Sequence, residues 1–418
     1  MIKGLAEPKG FKVVLMIFLP FGCGYYLSYL FRTINAVISE NLTLELGLGP
    51  GGLGLLTSVY LIAFASSQVP LGVALDRYGP RRVNAFLLLF AATGSAIFAV
   101  AESFSFLLLA RALIGFGVSA ALMGAIKANT LWFPADRIPL MNNLIGACGA
   151  IGAVSATRPV EIILQIAAWR EIFAVLAVLT VLVSLAILLL VPEKPNRVRV
   201  EESFGKQLRG YGKVLKSPHF WRIALIFAIG HTAFLSYQTL WADPWFRDVA
   251  GFDQTRRANH LFIIQLGFLI GLLLTGFFTD RLRRTRVRAV HIFGIGLLLL
   301  IGIQVFLALG VTKHLGIICF LFGFSASSTF LAYAVQTENF PTELTGRAIT
   351  AMNFMVFIFA FICQWGIGEV IETYSILPDG RYPKSAHSLA LWIMIFFQIL
   401  CYINFIRPTR KIANAKRC

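Results

Sequence analysis

An arginine inside an otherwise apolar run is the first residue to explain. Arg32 closes a stripe with Tyr25 and Tyr29, spaced four and three residues apart, so on a helix two phenols and a guanidinium share one face. Ser28 and Asn35 flank that stripe. A guanidinium fork donates two parallel hydrogen bonds and suits a carboxylate or a phosphate. Arg111 stands in a second apolar run, and Arg158 precedes Glu161 by three residues, a spacing at which the two can pair. Glu161 is then the best protonatable carboxylate of the N-terminal half. Inside a membrane such groups cost at least ~2.5 kcal/mol each on insertion scales, which makes each a functional candidate. A plainer reading stands beside every one. Arg32 can snorkel to the outer surface, Arg111 can bond to carbonyls, and Arg158 with Glu161 can be an inert ion pair near that surface. Lys127 reads as an interfacial anchor beside Trp132 and Phe133.

The C-terminal half offers neutral chemistry instead. One run carries His231, Tyr237, Gln238 and Trp241 before Pro244, with no Arg or Lys in the span. Gln265, Tyr333, Gln336, Asn353 and Gln364 follow in later runs. Neutral hydrogen-bonding groups opposite a cationic face suit a ligand anionic at one end and polar or apolar at the other. Each Gln or Asn can equally tie helices together.

The elements that must position these residues are membrane spans. The 418 residues are 57% hydrophobic and 14% charged, against roughly 25% charged in soluble domains. A net charge of +17 could suggest nucleic acid, but the basic residues sit in short gaps between apolar runs, as cytoplasmic loops do. At about 20 apolar residues per span, twelve segments are expected. They begin near Lys12, Gly51, Val83, Phe104, Ile138, Glu171, Trp221, His260, Ala289, His314, Gly346 and His387. Residues 1–192 form one six-helix half and 221–406 the other, joined by a hydrophilic loop at 193–220 and followed by a basic tail at 407–418. With the N-terminus inside, 26 Lys and Arg fall on the cytoplasmic side and 7 opposite. Arg32, Arg111, Lys127 and Arg158 lie within spans and complete the 37. That asymmetry places both termini in the cytoplasm. The N-terminal lysines and apolar run lack a small-residue cleavage site, which predicts an uncleaved first helix. Six scattered cysteines show no C-x-x-C spacing, so neither a disulfide frame nor a metal site is expected.

The two halves repeat one another. Asp76-Arg77 returns as Asp280-Arg281, Leu27-Ser28-Tyr29 as Leu235-Ser236-Tyr237, Phe133-Pro134 as Phe340-Pro341, and Asn143 as Asn353. Two repeated six-helix halves with a basic central loop are the architecture of a secondary transporter. The stretch GVALDRYGPRR, from Gly72 to Arg82, resembles the loop signature G-x-x-x-D-R-x-G-R-R of the major facilitator superfamily. RALIGFG, from Arg111 to Gly117, resembles that superfamily's fourth-helix signature R-x-x-x-G-x-G.

The resemblance implies an all-α membrane protein with twelve transmembrane helices in two pseudo-symmetric halves, in a bacterial inner membrane. It implies that Gly72, Asp76, Arg77, Arg81, Asp280 and Arg281 gate the cytoplasmic side, each loop latching onto the opposite half. Gly72 would allow close helix packing, and Asp76 would meet the eleventh helix near Gly346 and Arg347. The plainer reading is that these charges only anchor the loops inside. The first helix would line a central cavity with Tyr25, Tyr29, Arg32 and Asn35. Arg158, Tyr237, Gln238, Trp241, Gln336, Asn353 and Gln364 would contribute to substrate binding, and Arg111 and Glu161 to coupling.

The function expected is transport of a small organic anion or zwitterion by alternating access, through proton symport or exchange. Efflux of amphipathic compounds is the alternative, and a non-transporting membrane sensor a more distant one. Organophosphate exchangers of the superfamily also carry the first-helix Arg but expect another on the seventh helix, which is missing here. No G-x-x-x-x-G-K-[ST], G-x-S-x-G or H-E-x-x-H occurs, so neither ATP-driven transport nor enzymatic activity is expected. No cofactor is anticipated. The partners are a small-molecule substrate, protons as a coupling ion and the lipid bilayer, not nucleic acid. A monomer is implied by the resemblance alone.

Overall fold

Without water, a backbone crossing a bilayer must satisfy its hydrogen bonds internally, and an isolated apolar run does so as a helix. The computed structural model describes residues 14–134, 137–193, 204–282, 288–337 and 340–407. Twelve helices among them are long and apolar enough to span a membrane. The N-terminal half holds α1 (Val14–Thr33), α2 (Pro50–Gln68), α3 (Arg77–Val100), α4 (Phe104–Trp132), α5 (Leu140–Leu164) and α6 (Trp169–Leu190). The C-terminal half holds α7 (Pro218–Asp248), α8 (Gln254–Thr275), α9 (Ala289–Ala308), α10 (Leu315–Gln336), α11 (Leu344–Glu372) and α12 (Lys384–Ile406). The protein is a multi-pass membrane protein. Expected and observed starts differ most for α3 and α8, at Arg77 rather than Val83 and Gln254 rather than His260. Both helices open with a charged turn that hydropathy assigns to the loop.

The sequence repeat reappears as a repeat of packing. In the N-terminal half α1 lies on α5, α2 on α4 and α3 on α6. In the C-terminal half α7 lies on α11, α8 on α10 and α9 on α12. The halves meet where α2 runs against α11 and α5 against α8. The most enclosed span is α7, 89% buried, whereas α6 and α12 are 33% buried and present apolar side chains at the perimeter. Between the halves, a helix at Phe204–Leu215 docks on the start of α11. The Tyr211 hydroxyl lies 2.9 Å from Thr350 Oγ1, and Val214 is fully buried.

Glycines act at two kinds of position. Helix runs on from Pro50 to Val100, broken only at Gly79, whose φ of +81° is open to glycine at little cost. Pro80 then restarts the helix where a backbone N–H is dispensable. In the signature on α4, a methyl on Gly115 would collide with the Tyr60 backbone, and one on Gly117 with Ala91. These two residues seat α4 on α2 and α3. Gly72 does not behave as expected, because a methyl there would touch nothing within 4 Å. The α2 helix simply continues past it, clear of neighbours.

Candidate functional site

Arg32, in the last turn of α1, is 6% exposed and sits in a cage of aromatic rings. Its guanidinium carbon lies 4.7 Å from the Tyr29 centroid, 6.0 Å from Tyr60, 5.1 Å from Phe64 and 5.1 Å from Phe357. The first three rings come from the N-terminal half and Phe357 from α11, so the cage closes across the interface. Phe64 and Phe357 touch directly, centroids 4.3 Å apart. Arg32 has no carboxylate partner among the described residues, and its Nε has no hydrogen bond. Tyr25 meets Tyr29 edge-on at 5.1 Å, so the two phenols share one face of α1 as their spacing predicts. Tyr333 on α10 and His231 on α7 come within electrostatic reach of Arg32, and Tyr333 also of Tyr29 and Tyr25. The Tyr333 hydroxyl donates to Asn353 Oδ1 at 3.0 Å.

Several expected residues are committed elsewhere. Arg111 is fully buried, donates to the Phe31 carbonyl at 3.0 Å, and stacks 5.1 Å over Tyr60. Phe31 lies in the last turn of α1, where helix carbonyls lack intrahelical partners, so Arg111 pins α4 to α1. Asn35 donates to Thr57 Oγ1 at 3.1 Å within the N-terminal half. Tyr237 departs from the reading that put it on the cavity face. It packs towards Phe322 in an apolar nook with Ala242, Trp245 and Cys319, inside the C-terminal half. The helix widens into a π-helical turn from Tyr237 to Trp241.

Trp241 wedges between halves. Its Nε1 donates to the Gln364 carbonyl at 3.0 Å, and its ring edge lies against Gly54 of α2. Gln364 in turn reaches Thr239 Oγ1 at 3.4 Å. Gln238 and Gln364 each keep a buried amide oxygen without a partner, and Gln336 and Gln265 keep both amide atoms so. Buried polar atoms are normally paired, so these four line the interior as unspent hydrogen-bonding capacity.

Arg158 leaves the cavity altogether. It pairs with Glu161, which is also held by Gln165 at 3.0 Å and, across the interface, by Thr255 of α8 at 2.9 Å. This cluster belongs to a polar seam at the end of the bundle away from the basic loops. There Ser39 donates to Asp243 at 3.1 Å, Arg257 bridges Asp243 and Glu40, and the Gly51 N–H donates to Glu372 at 2.6 Å. At the basic end, Arg81 donates to the Leu188 carbonyl at 2.9 Å, Arg82 pairs with Glu193 at 2.8 Å, and Arg77 lies 5.4 Å over Tyr78. Leu188 and Tyr78 belong to the same half, and Glu193 opens the loop that joins the halves. The side chains of Asp76, Asp280 and Arg281, with residues 408–418, lie outside the described ones. Among the described residues no cluster of His, Cys, Asp and Glu could hold a metal ion.

Sequence reasoning missed Tyr60, Phe64 and Phe357, because an aromatic in an apolar span is indistinguishable from packing. It also passed over Glu40, Asp243 and Arg257, whose pairing joins helices far apart in the chain.

A sequence profile described as the Major Facilitator Superfamily matches residues 21–363. The chain is 25% identical over 276 residues to the probable sulfoacetate transporter SauU of Cupriavidus necator, covering 62% of this chain and 63% of that one. It is 25% identical over 354 residues to the probable L-galactonate transporter of Escherichia coli K12, covering 82% and 73%. The hexuronate transporter of the same organism is 24% identical over 277 residues, with 62% and 64% covered. The chain thus spans less than two thirds of the first and third of these relatives. Among solved structures, a bacterial homologue of the human lysosomal transporter Spinster, inward-facing and unoccupied, superposes with a TM-score of 0.75 at 15% identity, covering 95% of this chain and 97% of that one. The nucleoside transporter NupG gives 0.75 at 14%, covering 93% and 98%. At such identities the likeness is one of fold.

Proposed function

The chain belongs to the Major Facilitator Superfamily, and from that premise we propose that this secondary transporter moves a small organic anion or zwitterion. The two halves rock around a site centred on Arg32. The observation that carries this reading is the caged arginine. Burying one ion costs several kcal/mol after relaxation, while a cation–π contact returns about 0.5–2 kcal/mol. Four rings at 4.7–6.0 Å therefore hold the guanidinium in place without neutralising it, and an anion completes the balance. Relatives named for sulfoacetate, L-galactonate and hexuronate support an anionic substrate.

The basic end faces the cytoplasm in this reading, with both chain ends on that side of a bacterial inner membrane. The polar seam then closes the periplasmic side. Coupling runs by proton symport or by anion exchange. Glu161 serves symport from the seam: its protonation weakens the bond from Thr255 and loosens the closed state. The loops at Gly72–Arg82 and Asp280–Arg281 latch the cytoplasmic side in the alternate state, when Arg81 exchanges its partner within the half for one across it.

Thermal stabilisation of the purified protein by carboxylates, phosphates, amino acids and cationic amphipaths tests the site. Bound ligand at 100 times Kd adds about 2.7 kcal/mol. Anions or zwitterions should stabilise the wild type but not Arg32→Gln, and should drive counterflow in liposomes. Stabilisation by cationic amphipaths alone, or an unchanged response in Arg32→Gln, would falsify the assignment.

A further inference from the structure

The two walls of the Arg32 site differ in which way their hydrogen bonds point. On the C-terminal wall, His231 Nδ1 lies 2.9 Å from Thr329 Oγ1. The Thr329 hydroxyl has one proton, and it is given to the Ala326 carbonyl at 2.7 Å. Thr329 can therefore only accept from His231, so the imidazole holds its proton on Nδ1. In the neutral ring this leaves Nε2 as a bare acceptor. Nε2 has no partner among the described residues, and His231 is only half-buried.

Aromatic rings pack around the imidazole. Phe227 stacks on the ring at 5.6 Å, Phe330 of α10 meets it edge-on at 5.4 Å, and Phe234 stands at 6.4 Å. Arg32 from α1 is the charged group within electrostatic reach of the ring. One turn of helix away, Tyr333 spends its proton on Asn353, so its oxygen too can accept but not donate inward. The N-terminal wall presents the donor fork of Arg32, and at His231 and Tyr333 the C-terminal wall presents acceptors.

We propose that His231, with Tyr333 beside it, selects for a hydrogen-bond donor on the substrate, so that the transported anion is a hydroxycarboxylate. This rests on the anion reading of the Arg32 site and adds the second half of the ligand. The carboxylate meets Arg32, and a hydroxyl further along the same molecule donates to His231 Nε2. A bare anion such as nitrate, or a carboxylate without a hydroxyl, leaves the acceptor wall unpaired. A site built to bond a substrate hydroxyl rejects the analogue that lacks it.

The test compares affinities of the purified full chain for matched pairs. Lactate, glycerate and gluconate are set against propionate, against the O-methyl ethers of lactate and glycerate, and against nitrate. The ethers keep the oxygen and lose only the proton. The wild type should favour hydroxy acids over ethers by about tenfold or more. His231→Phe should shrink that preference to within about threefold, and His231→Gln, whose amide oxygen can accept, should restore part of it. Equal binding of hydroxy acids and ethers by the wild type, with both lost in Arg32→Gln, overturns the acceptor wall and leaves the anion site standing. A preference that survives in His231→Phe overturns the role of His231. Binding of none of these anions removes the anion reading and this inference with it. Should His231→Phe not fold, the wild-type pairs alone decide.

Discussion

The two ends of the bundle are held by opposite arrangements of charge. At the end away from the basic loops, acids and bases reach across the interface. Arg257 of α8, 4% exposed, binds Glu40 from the helix after α1 and Asp243 of α7. Asp243 also takes the Ser39 hydroxyl, and Glu372 at the end of α11 caps the first turn of α2. At the basic end, Arg81 binds Leu188 of its own half and Arg82 binds Glu193 where the connecting loop leaves that half, and Arg82 is 61% exposed. A bond within a half travels with it as the halves rock, whereas a bond between halves must break. The difference teaches where the free energy of this conformation is stored: in the seam, not in the arginine-rich loops.

The comparison can be broken most sharply at Arg257. Replacing it by Ala strands the buried Asp243 and the partly exposed Glu40, and loss of one partner from a buried pair costs about 3–5 kcal/mol. Spin labels at Leu44 and Ile376, exposed positions at this end of the two halves, should then report longer separations, in a background freed of native cysteines. An unchanged distance distribution would show that packing of α2 on α11, not charge, holds the seam. Glu372→Gln removes a charge from the positive N-terminus of α2, worth about 1 kcal/mol, and should move the same distances part of the way. At the opposite end, Arg82→Gln deletes an exposed ion pair and should shift the equilibrium by less than about 0.5 kcal/mol. A larger shift there would mean that the basic loop already bears load in this conformation.

Much of this molecule could be read from its sequence, and the division follows from physics. The spans were legible because bilayer thickness sets their length, and their errors fell where helices begin with charged turns, at Arg77 and Gln254. The Tyr25–Tyr29–Arg32 face was legible because helix periodicity is local. The cage was not: Phe64 and Phe357 lie on different halves, and no spacing rule joins them. Tyr237 was assigned to the site by its chemistry and by resemblance, with no spacing rule to aim it, and the fold turns it towards Phe322 instead. Arg158 and Glu161 were rightly seen as a pair, but their place in the seam depends on Thr255, nearly a hundred positions along the chain. Proton bookkeeping at His231 needs a geometry in which Thr329 is already satisfied, and sequence carries no trace of that.

Tyr60 stands between two cations. Its ring lies 6.0 Å from Arg32 and 5.1 Å from Arg111, and its hydroxyl donates to the Ser28 carbonyl of α1. Both guanidiniums draw on the same π cloud, so they compete for it. On the proposed role of Arg32, a substrate that neutralises it would leave the ring to Arg111, whose other hold is the Phe31 carbonyl. One aromatic ring would then tie occupancy of the proposed site to the joint between α1 and α4.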